Sequence, residues 1–246
     1  MSSHPIGVLS PRCVAAGPEA PSQVRGSTRW TGQVTFPVPE AFVRAHTRQV
    51  RPPLVPQVRL LVAADVVALW EAMEEERGEP AEQPPFWAAA WPGGQALARY
   101  LLDRPAVVAG RPVLDLGSGG GLVAVAAALA GAAGVTASEI DPFGRTAIVL
   151  NGRLNGVTGI GVVGDVLGEP PPPAGVVLAG DVCYDREMTA RVLPYLAAAR
   201  SAGCEVLLGD PGRPYLPTDR LVAVAAYDVP DGDGGPPRRT TVWRLP

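Results

Sequence analysis

Three carboxylates in a set relation to one glycine-rich turn carry most of the chemistry legible in this chain. The turn lies in Val113-Leu-Asp-Leu-Gly-Ser-Gly-Gly-Gly121, an apolar run entering a loop and then an alanine-rich segment. Glycines let a backbone turn sharply and approach a ligand closely, so Gly117, Gly119 and Gly121, with Ser118 among them, form a candidate cradle. A dinucleotide fingerprint needs Gly-x-Gly-x-x-Gly, and Leu122 stands where its last glycine belongs. Asp115, two places before the first glycine, is a poor neighbour for a pyrophosphate and a good one for a cation. S-adenosylmethionine carries an ammonium and a sulfonium, so the sign fits. Glu139 follows at about the 20-residue interval from which a carboxylate accepts from ribose hydroxyls. Asp165 can accept from an adenine amino group. The competing readings are a turn residue for Asp115, a strand-end charge for Glu139 and a loop acid for Asp165. Asp141 reads as a helix cap.

These residues need strands to hold them. Short apolar runs at 112–116, 135–139, 160–163, 175–179 and 205–208 read as strands. Helical segments are expected at 120–130, 141–154 and 187–200. Asp141-Pro142 opens the second with an N-cap and a first-turn proline, and Phe143, Ala147, Leu150 and Leu154 follow its apolar spacing. Met188, Val192 and Leu196 do the same in the third. Strands alternating with helices predict an α/β fold, a doubly wound parallel sheet with ligands at the carboxyl ends of its strands. Two final runs, 221–227 and 240–245, joined through Asp231-Gly-Asp-Gly-Gly, suit an antiparallel hairpin. Ahead of the glycine loop, residues 1–36 read as a disordered or loosely attached arm. Residues 37–85 read as a helical and strand extension, and 86–246 as the ligand-binding domain. Within the extension a short helix is expected over 39–50, a strand over 58–63, and a helix over 65–77 with Val66, Trp70 and Met73 on one face.

Composition narrows the function classes. The chain has 246 residues, and 47% are apolar, enough for a full core. The net charge is −3, which speaks against broad attraction to nucleic acid. All 21 basic residues are arginine, which excludes a phosphate-loop lysine and Schiff-base chemistry. Cys13, Cys183 and Cys204 are too few for a disulfide framework, and with only His4 and His46 no metal site of His and Cys can be drawn. No signal peptide or membrane span is legible; the apolar stretch 121–137 is alanine-rich, broken by Gly131 and Gly134, and shorter than the roughly 20 residues a span needs. The expected setting is the cytoplasm, with no membrane or nucleic-acid partner, and a monomer is the default at this size.

Several segments resemble one family. Asp115-Leu-Gly-Ser-Gly-Gly-Gly121 is similar to the first motif of the seven-strand, class I S-adenosylmethionine-dependent methyltransferases. Phe86-Trp87, Trp91-Pro-Gly-Gly-Gln-Ala-Leu-Ala-Arg-Tyr-Leu-Leu-Asp103, Glu139-Ile-Asp-Pro142, the stretch 151–155, Gly180-Asp-Val-Cys-Tyr-Asp185 and Gly209-Asp-Pro-Gly-Arg-Pro214 resemble, more narrowly, the electron-transfer flavoprotein beta-subunit lysine methyltransferases. Arg51-Pro-Pro-Leu-Val-Pro56 is similar to that family's N-terminal part, and the likeness spans roughly residues 40–246. It implies a Rossmann-like sheet of order 3-2-1-4-5-7-6 with the seventh strand antiparallel. It implies S-adenosylmethionine as cofactor, with S-adenosylhomocysteine as product, and Trp91 beside it. It implies Asp181 and Tyr184 as the Asp-x-x-Tyr motif at the methyl-transfer site. The arm before Phe36 has no counterpart in the family.

The implied activity is protein lysine N-methylation, on an exposed lysine of a folded protein such as the flavoprotein beta subunit or a ribosomal protein. Asp181 would position the incoming amine and Tyr184 would wall its channel. The plain alternatives are a helix cap for Asp181 and a packed ring for Tyr184. Asp210 and Arg213 either contact substrate or fix a tight turn by a local ion pair. Trp87 and Trp91 can equally be core, Cys183 reads as a small buried apolar group, and Asn151 and Asn155 as helix-surface or helix-end groups. Two other functions compete: a small-molecule methyltransferase on the same fold, and a cofactor-binding module without catalysis.

Overall fold

The computed structural model describes Met1 and residues 40–81, 83–172, 175–230 and 235–246. The expected loose arm, with His4 and Cys13, lies outside the described residues apart from Met1. So do Glu82 of the extension and residues 231–234 of the hairpin connection.

The chain enters through helix α1 (Glu40–His46) and strand β1 (Thr47–Val50). The sequence suggests one helix across this stretch, and the structure corrects that at His46. The reason is tertiary: β1 finds an antiparallel partner in β2 (Leu60–Ala63), with Thr47 opposite Ala63 and Val50 opposite Leu60. Helix α2 (Val66–Arg77) begins as expected, the Asp65 carboxylate accepting from the amides of Val67 and Ala68. Such a cap is worth about 1 kcal/mol. Its buried face, however, is Leu69 and Met73, and Val66 is exposed.

Helix α3 (Pro92–Asp103) is one the sequence reading did not draw, although it holds the Trp-Pro-Gly-Gly segment. From there the alternation runs as expected through β3 (Pro112–Leu116), α4 (Leu122–Leu129), β4 (Gly134–Ser138), α5 (Pro142–Leu154) and β5 (Gly161–Val163). It continues through β6 (Val176–Gly180), α6 (Arg186–Ser201), β7 (Glu205–Asp210), β8 (Val222–Val229) and β9 (Arg238–Leu245). The seven-stranded sheet has the order β5-β4-β3-β6-β7-β9-β8. Counted from β3, that is 3-2-1-4-5-7-6, with β9 antiparallel to both neighbours.

Period-two alternation decides which face each strand residue serves. Val113, Val135, Val176, Leu178 and Leu207 pack against α3 and α4 with Ile148 of α5. Leu114, Leu116, Val177, Ala179, Val206 and Leu208 pack against Val192, Leu196 and Ala199 of α6. Asp115 shares the parity of Val113 and therefore points toward the start of α4, not along the sheet edge.

The extension is not separate in packing. Val43, Leu61, Leu69 and Met73 share one apolar cluster with Trp87, Phe143, Ala147 and Leu150. Val55, Val58 and Leu60 share another with Ala98, Leu122, Val125 and Ala126. Asn151 of α5 and Asn155 at its end stitch the seam; Asn155 is the helix-end group expected, whereas Asn151 is not a surface group. Asn151 is fully buried, accepts from the Leu61 amide and donates to the Gly120 carbonyl, each at 2.8 Å. Asn155 accepts from the Arg59 amide at 2.8 Å and donates to the Arg59 carbonyl at 2.7 Å. Among the described residues no helix is long and apolar enough to cross a membrane, and no group of three His, Cys, Asp or Glu residues could hold a metal ion.

Candidate active site

The carboxyl ends of β3, β4 and β6 open into a cleft of about 880 Å³. Gly117 and Gly119 form its floor, in left-handed backbone conformations of φ 64° and 56°, which a residue with a Cβ rarely adopts. The backbone of Trp87 lies across the same loop: a Cβ on Gly120 would meet the Trp87 carbonyl at 2.8 Å. Trp87 itself is buried, so of its two readings the core one holds.

Glu139 and Asp165 both line this cleft. Glu139 Oε2 accepts from the Gly119 amide and Oε1 from the Asp141 amide, each at 2.8 Å. Its carboxylate is thereby held beside the glycine loop. Burial pushes its pKa up to about 7 against the pull of those bonds. Asp165 is exposed; its Oδ1 accepts from the Leu167 amide and its Oδ2 from Arg191 at 2.5 Å. Partial burial would raise its pKa, but these donors hold it below the usual carboxylate range. Asp141 caps α5, accepting from the Phe143 amide, and also pairs with Arg77 at 3.0 Å.

Asp115 sits elsewhere. It is 1% exposed, and its Oδ2 accepts from the Ser118 hydroxyl at 2.5 Å and the Ala124 amide at 3.0 Å. Burial pushes its pKa up to about 7 despite both bonds. With Ser118 it lines only a small recess behind the loop. In the structure its carboxylate ties the loop to the start of α4. Gly121 opens that helix against Ile148, where an added Cβ would lie 3.2 Å from its side chain.

Asp181 stands at the end of β6 in a left-handed conformation, φ 60°, unusual for a residue other than glycine. It is not a helix cap; Asp185 caps α6. Asp181 is buried, which raises its pKa, while Arg213 and the Gly94 amide pull the other way. Oδ2 accepts from the Gly94 amide at 2.7 Å and Oδ1 from Arg213 at 2.5 Å. The first bond explains the Trp-Pro-Gly-Gly segment. The start of α3 lies so close to β6 and β7 that a Cβ on Gly93 would stand 2.1 Å from the Gly209 carbonyl oxygen and 2.6 Å from Asp181 Oδ2. Arg213 also reaches Asp210 Oδ2 at 3.3 Å, and Asp210 Oδ1 accepts from the amides of Gly212 and Arg213. The tight turn thus exists, and Arg213 faces the cleft as well; Asp210 is buried behind it.

Three half-exposed aromatic rings line the same cleft as Asp181: Phe86, Trp91 and Tyr184, exposed by 40%, 41% and 37%. Phe86 lies 5.6 Å from Tyr184 and 6.0 Å from Trp91, centroid to centroid, and Trp91 donates its indole N–H to the Phe86 carbonyl. Burial raises the pKa of Tyr184, with Asp185 and Glu139 adding to it. Phe86 was quoted from the sequence only within the Phe86-Trp87 resemblance and given no role there. Cys183 is buried and its thiol is pushed up to about 11 by burial, as suits an unreactive core group.

Comparison with known proteins decides the family. A protein from Xenopus laevis, the electron transfer flavoprotein beta subunit lysine methyltransferase, is 39% identical over 202 residues, covering 78% of this chain and 80% of that protein. The chain belongs to the electron transfer flavoprotein beta subunit lysine methyltransferase family. The Homo sapiens member is 37% identical over 197 residues, with 78% of this chain and 74% of that protein covered. The family model for ribosomal protein L11 methyltransferase matches residues 96–179, from within α3 to the end of β6. In fold, this methyltransferase is similar to the solved Pyrococcus abyssi tRNA (uracil-54, C5)-methyltransferase in complex with S-adenosyl-L-homocysteine. The TM-score is 0.50 at 12% identity, with 81% of this chain and 44% of that chain covered.

Proposed function

We propose that this methyltransferase moves the methyl group of S-adenosylmethionine onto the ε-amine of a lysine in a folded protein. The electron transfer flavoprotein beta subunit, named for the relatives, is the first candidate substrate, and a ribosomal protein the next. The observation that carries the reading is the group of half-exposed rings, Phe86, Trp91 and Tyr184, lining one cleft with a buried carboxylate, Asp181. Apolar walls and a carboxylate in one cleft suit the long apolar stem and polar tip of a lysine, and a folded protein can present one to an exposed mouth.

The cleft residues fit the cofactor. Gly117 and Gly119 give backbone that a ligand can approach, Glu139 an acceptor for ribose hydroxyls, and Asp165 an acceptor near the adenine position. Trp91 would flank it, and Asp115 and Ser118 hold the loop. When bound, the cofactor supplies an electrophilic methyl on a sulfonium, a leaving group that needs little assistance. What remains for the protein is in-line positioning of the amine. A free lysine has a pKa of about 10.4, and only the neutral amine attacks. Rings that strip water from the side chain lower that pKa. Asp181 receives and orients the amine, Tyr184 walls the channel and can accept a hydrogen bond from it, and methylated product, still cationic, can rest against Trp91 or Tyr184. The proposal is completed by residues 86–246 as the catalytic unit, acting as a cytoplasmic monomer without nucleic acid.

The test uses tritiated S-adenosylmethionine with recombinant electron transfer flavoprotein beta subunit, and with a lysate of source cells lacking this gene. Label recovered as methyl-lysine from one protein band, and lost with Asp181→Ala and reduced with Tyr184→Phe, is the expected result. Label confined to small molecules would move the activity to a metabolite. Full activity in Asp181→Ala would remove Asp181 from the mechanism.

A further inference from the structure

Asp181 poses a difficulty that the turn after β7 resolves. A buried carboxylate beside an amine favours the ammonium, whereas methyl transfer needs the free base. Yet neither oxygen of Asp181 is bare: Oδ2 holds the Gly94 amide and Oδ1 the Arg213 guanidinium, at 2.7 and 2.5 Å. Arg213 is only 18% exposed, lines the cleft, and spans Asp181 and Asp210. Its side chain is not what makes the turn. Asp210 Oδ1 already fixes that through the backbone amides of Gly212 and Arg213, both at 2.7 Å. The guanidinium is therefore available for another purpose, and its charge is permanent at any working pH.

We propose that Arg213 is a positioning residue that acts through Asp181, offsetting the carboxylate's charge so that the acceptor lysine rests beside it as free amine rather than as ammonium. The inference rests on the lysine-methylation reading above. Arg213 sets one positive charge against the two carboxylates, and without it the site loses that counter-charge. A site without it would hold an ammonium more tightly and release its proton less readily. Other charged or titratable groups line the same cleft: Tyr184 of the motif, Arg191 of α6, Glu139 and Asp141 after β4, Asp165 after β5, and Arg77 and Glu79 at the end of α2 and beyond it. A variant at Arg213 leaves all of these unchanged.

The experiment measures kcat and KM against pH, from 6.5 to 9.5, for methyl-lysine formation on recombinant electron transfer flavoprotein beta subunit at saturating cofactor. Arg213→Met is expected to lower kcat about tenfold near neutral pH without raising KM, and to move the rising limb of the kcat profile alkaline by about one pH unit. Arg213→Lys should restore the wild-type limb. Asp210→Asn keeps an acceptor for the turn and removes a negative charge, so it should move the limb the opposite way, toward acid. That variant keeps the test available should Arg213→Met fail to fold. A pH-independent loss in Arg213→Met, with no rescue by lysine, would make Arg213 a brace for the turn and overturn the proposal. An unmoved limb in Asp210→Asn would do the same. Wild-type enzyme that forms methyl-lysine but shows these flat results sinks only the role of Arg213. Wild-type enzyme that forms none on any protein sinks the lysine reading and this proposal with it.

Discussion

Gly93 and Gly94 are adjacent in one helix, and the structure predicts opposite fates for them. A Cβ at Gly93 would lie 2.1 Å from the Gly209 carbonyl oxygen, about 0.9 Å inside the 3.0 Å limit below which real Cβ contacts essentially never fall. That atom is backbone of a central strand and cannot swing aside. In Gly93→Ala the start of α3 must therefore retreat by roughly an ångström, carrying the Gly94 amide off Asp181 Oδ2. Overpacking of this kind costs about 1–3 kcal/mol, and a hydrogen bond to a charged group about 1.5–3 kcal/mol more. At roughly 2–4 °C per kcal/mol for a chain of this size, Tm should fall by roughly 10 °C. An ångström of misplacement at Asp181 should lower kcat by about two orders of magnitude. In Gly94→Ala the new methyl meets only Val123 Cγ2 at 3.9 Å and Asp181 Oδ2 at 4.0 Å, ordinary contacts. Alanine is also the better helix former by up to about 1 kcal/mol, so Tm should hold or rise and activity persist. Scanning calorimetry and the tritium assay on both variants decide. Wild-type behaviour in Gly93→Ala, or equal damage in the two, would refute the close-approach argument.

The remaining expectations concern the loop and the seam. Asp115 and Glu139 have pKa values pushed up to about 7 in the folded protein, from ordinary values of 3.8 and 4.5. Native protein then holds more protons than unfolded chain between those limits, so ligand-free stability should fall as pH rises from about 4 to about 7, by a few kcal/mol, and level off above. Thermal melts of the ligand-free protein across that range should show the decline, and a smaller slope in Glu139→Gln; a rise with pH would contradict it. Asn151→Ala leaves the Leu61 amide and the Gly120 carbonyl buried without this partner. At about 1–3 kcal/mol for each such group, denaturant unfolding should show a loss of roughly 3 kcal/mol, and a loss below 1 kcal/mol would mean that water takes over both bonds.

What the sequence disclosed follows from how local each signal is. The strands and helices of the sheet were legible because short apolar runs, glycine punctuation and the Asp141-Pro142 start are all encoded within a few residues, while the strand order came from the family resemblance. β1 was not, because Thr47–Val50 is a strand only by virtue of β2, ten residues further on. Helix α3 was hidden by its own glycines: two of them after a proline argue against a helix until Gly209 and Asp181 are seen pressing on that spot. The face of α2 was misread for a related reason. Val66 and Trp70 have the spacing of a buried stripe, but α1 and α5 approach from the side of Leu69 and Met73.

Residue types located the site, while their partners decided what each residue does there. Asp115 and Glu139 are both acids near one loop, and spacing alone treats them as two ligand contacts. The parity of β3 turns Asp115 inward onto Ser118 and Ala124, whereas Glu139, one residue beyond the end of β4, remains at the cleft. The same holds for Arg213. A local ion pair with Asp210 could be anticipated three residues apart, but its bond to Asp181 spans 32 positions and depends on β6 and β7 being neighbours. That bond changes the chemistry assigned to the motif. An Asp-x-x-Tyr pair read in isolation offers a bare anion to an amine. With the Gly94 amide on one oxygen and Arg213 on the other, Asp181 is a fixed carboxylate with a counter-charge beside it, and on the proposed reading that suits it to orient a neutral nucleophile.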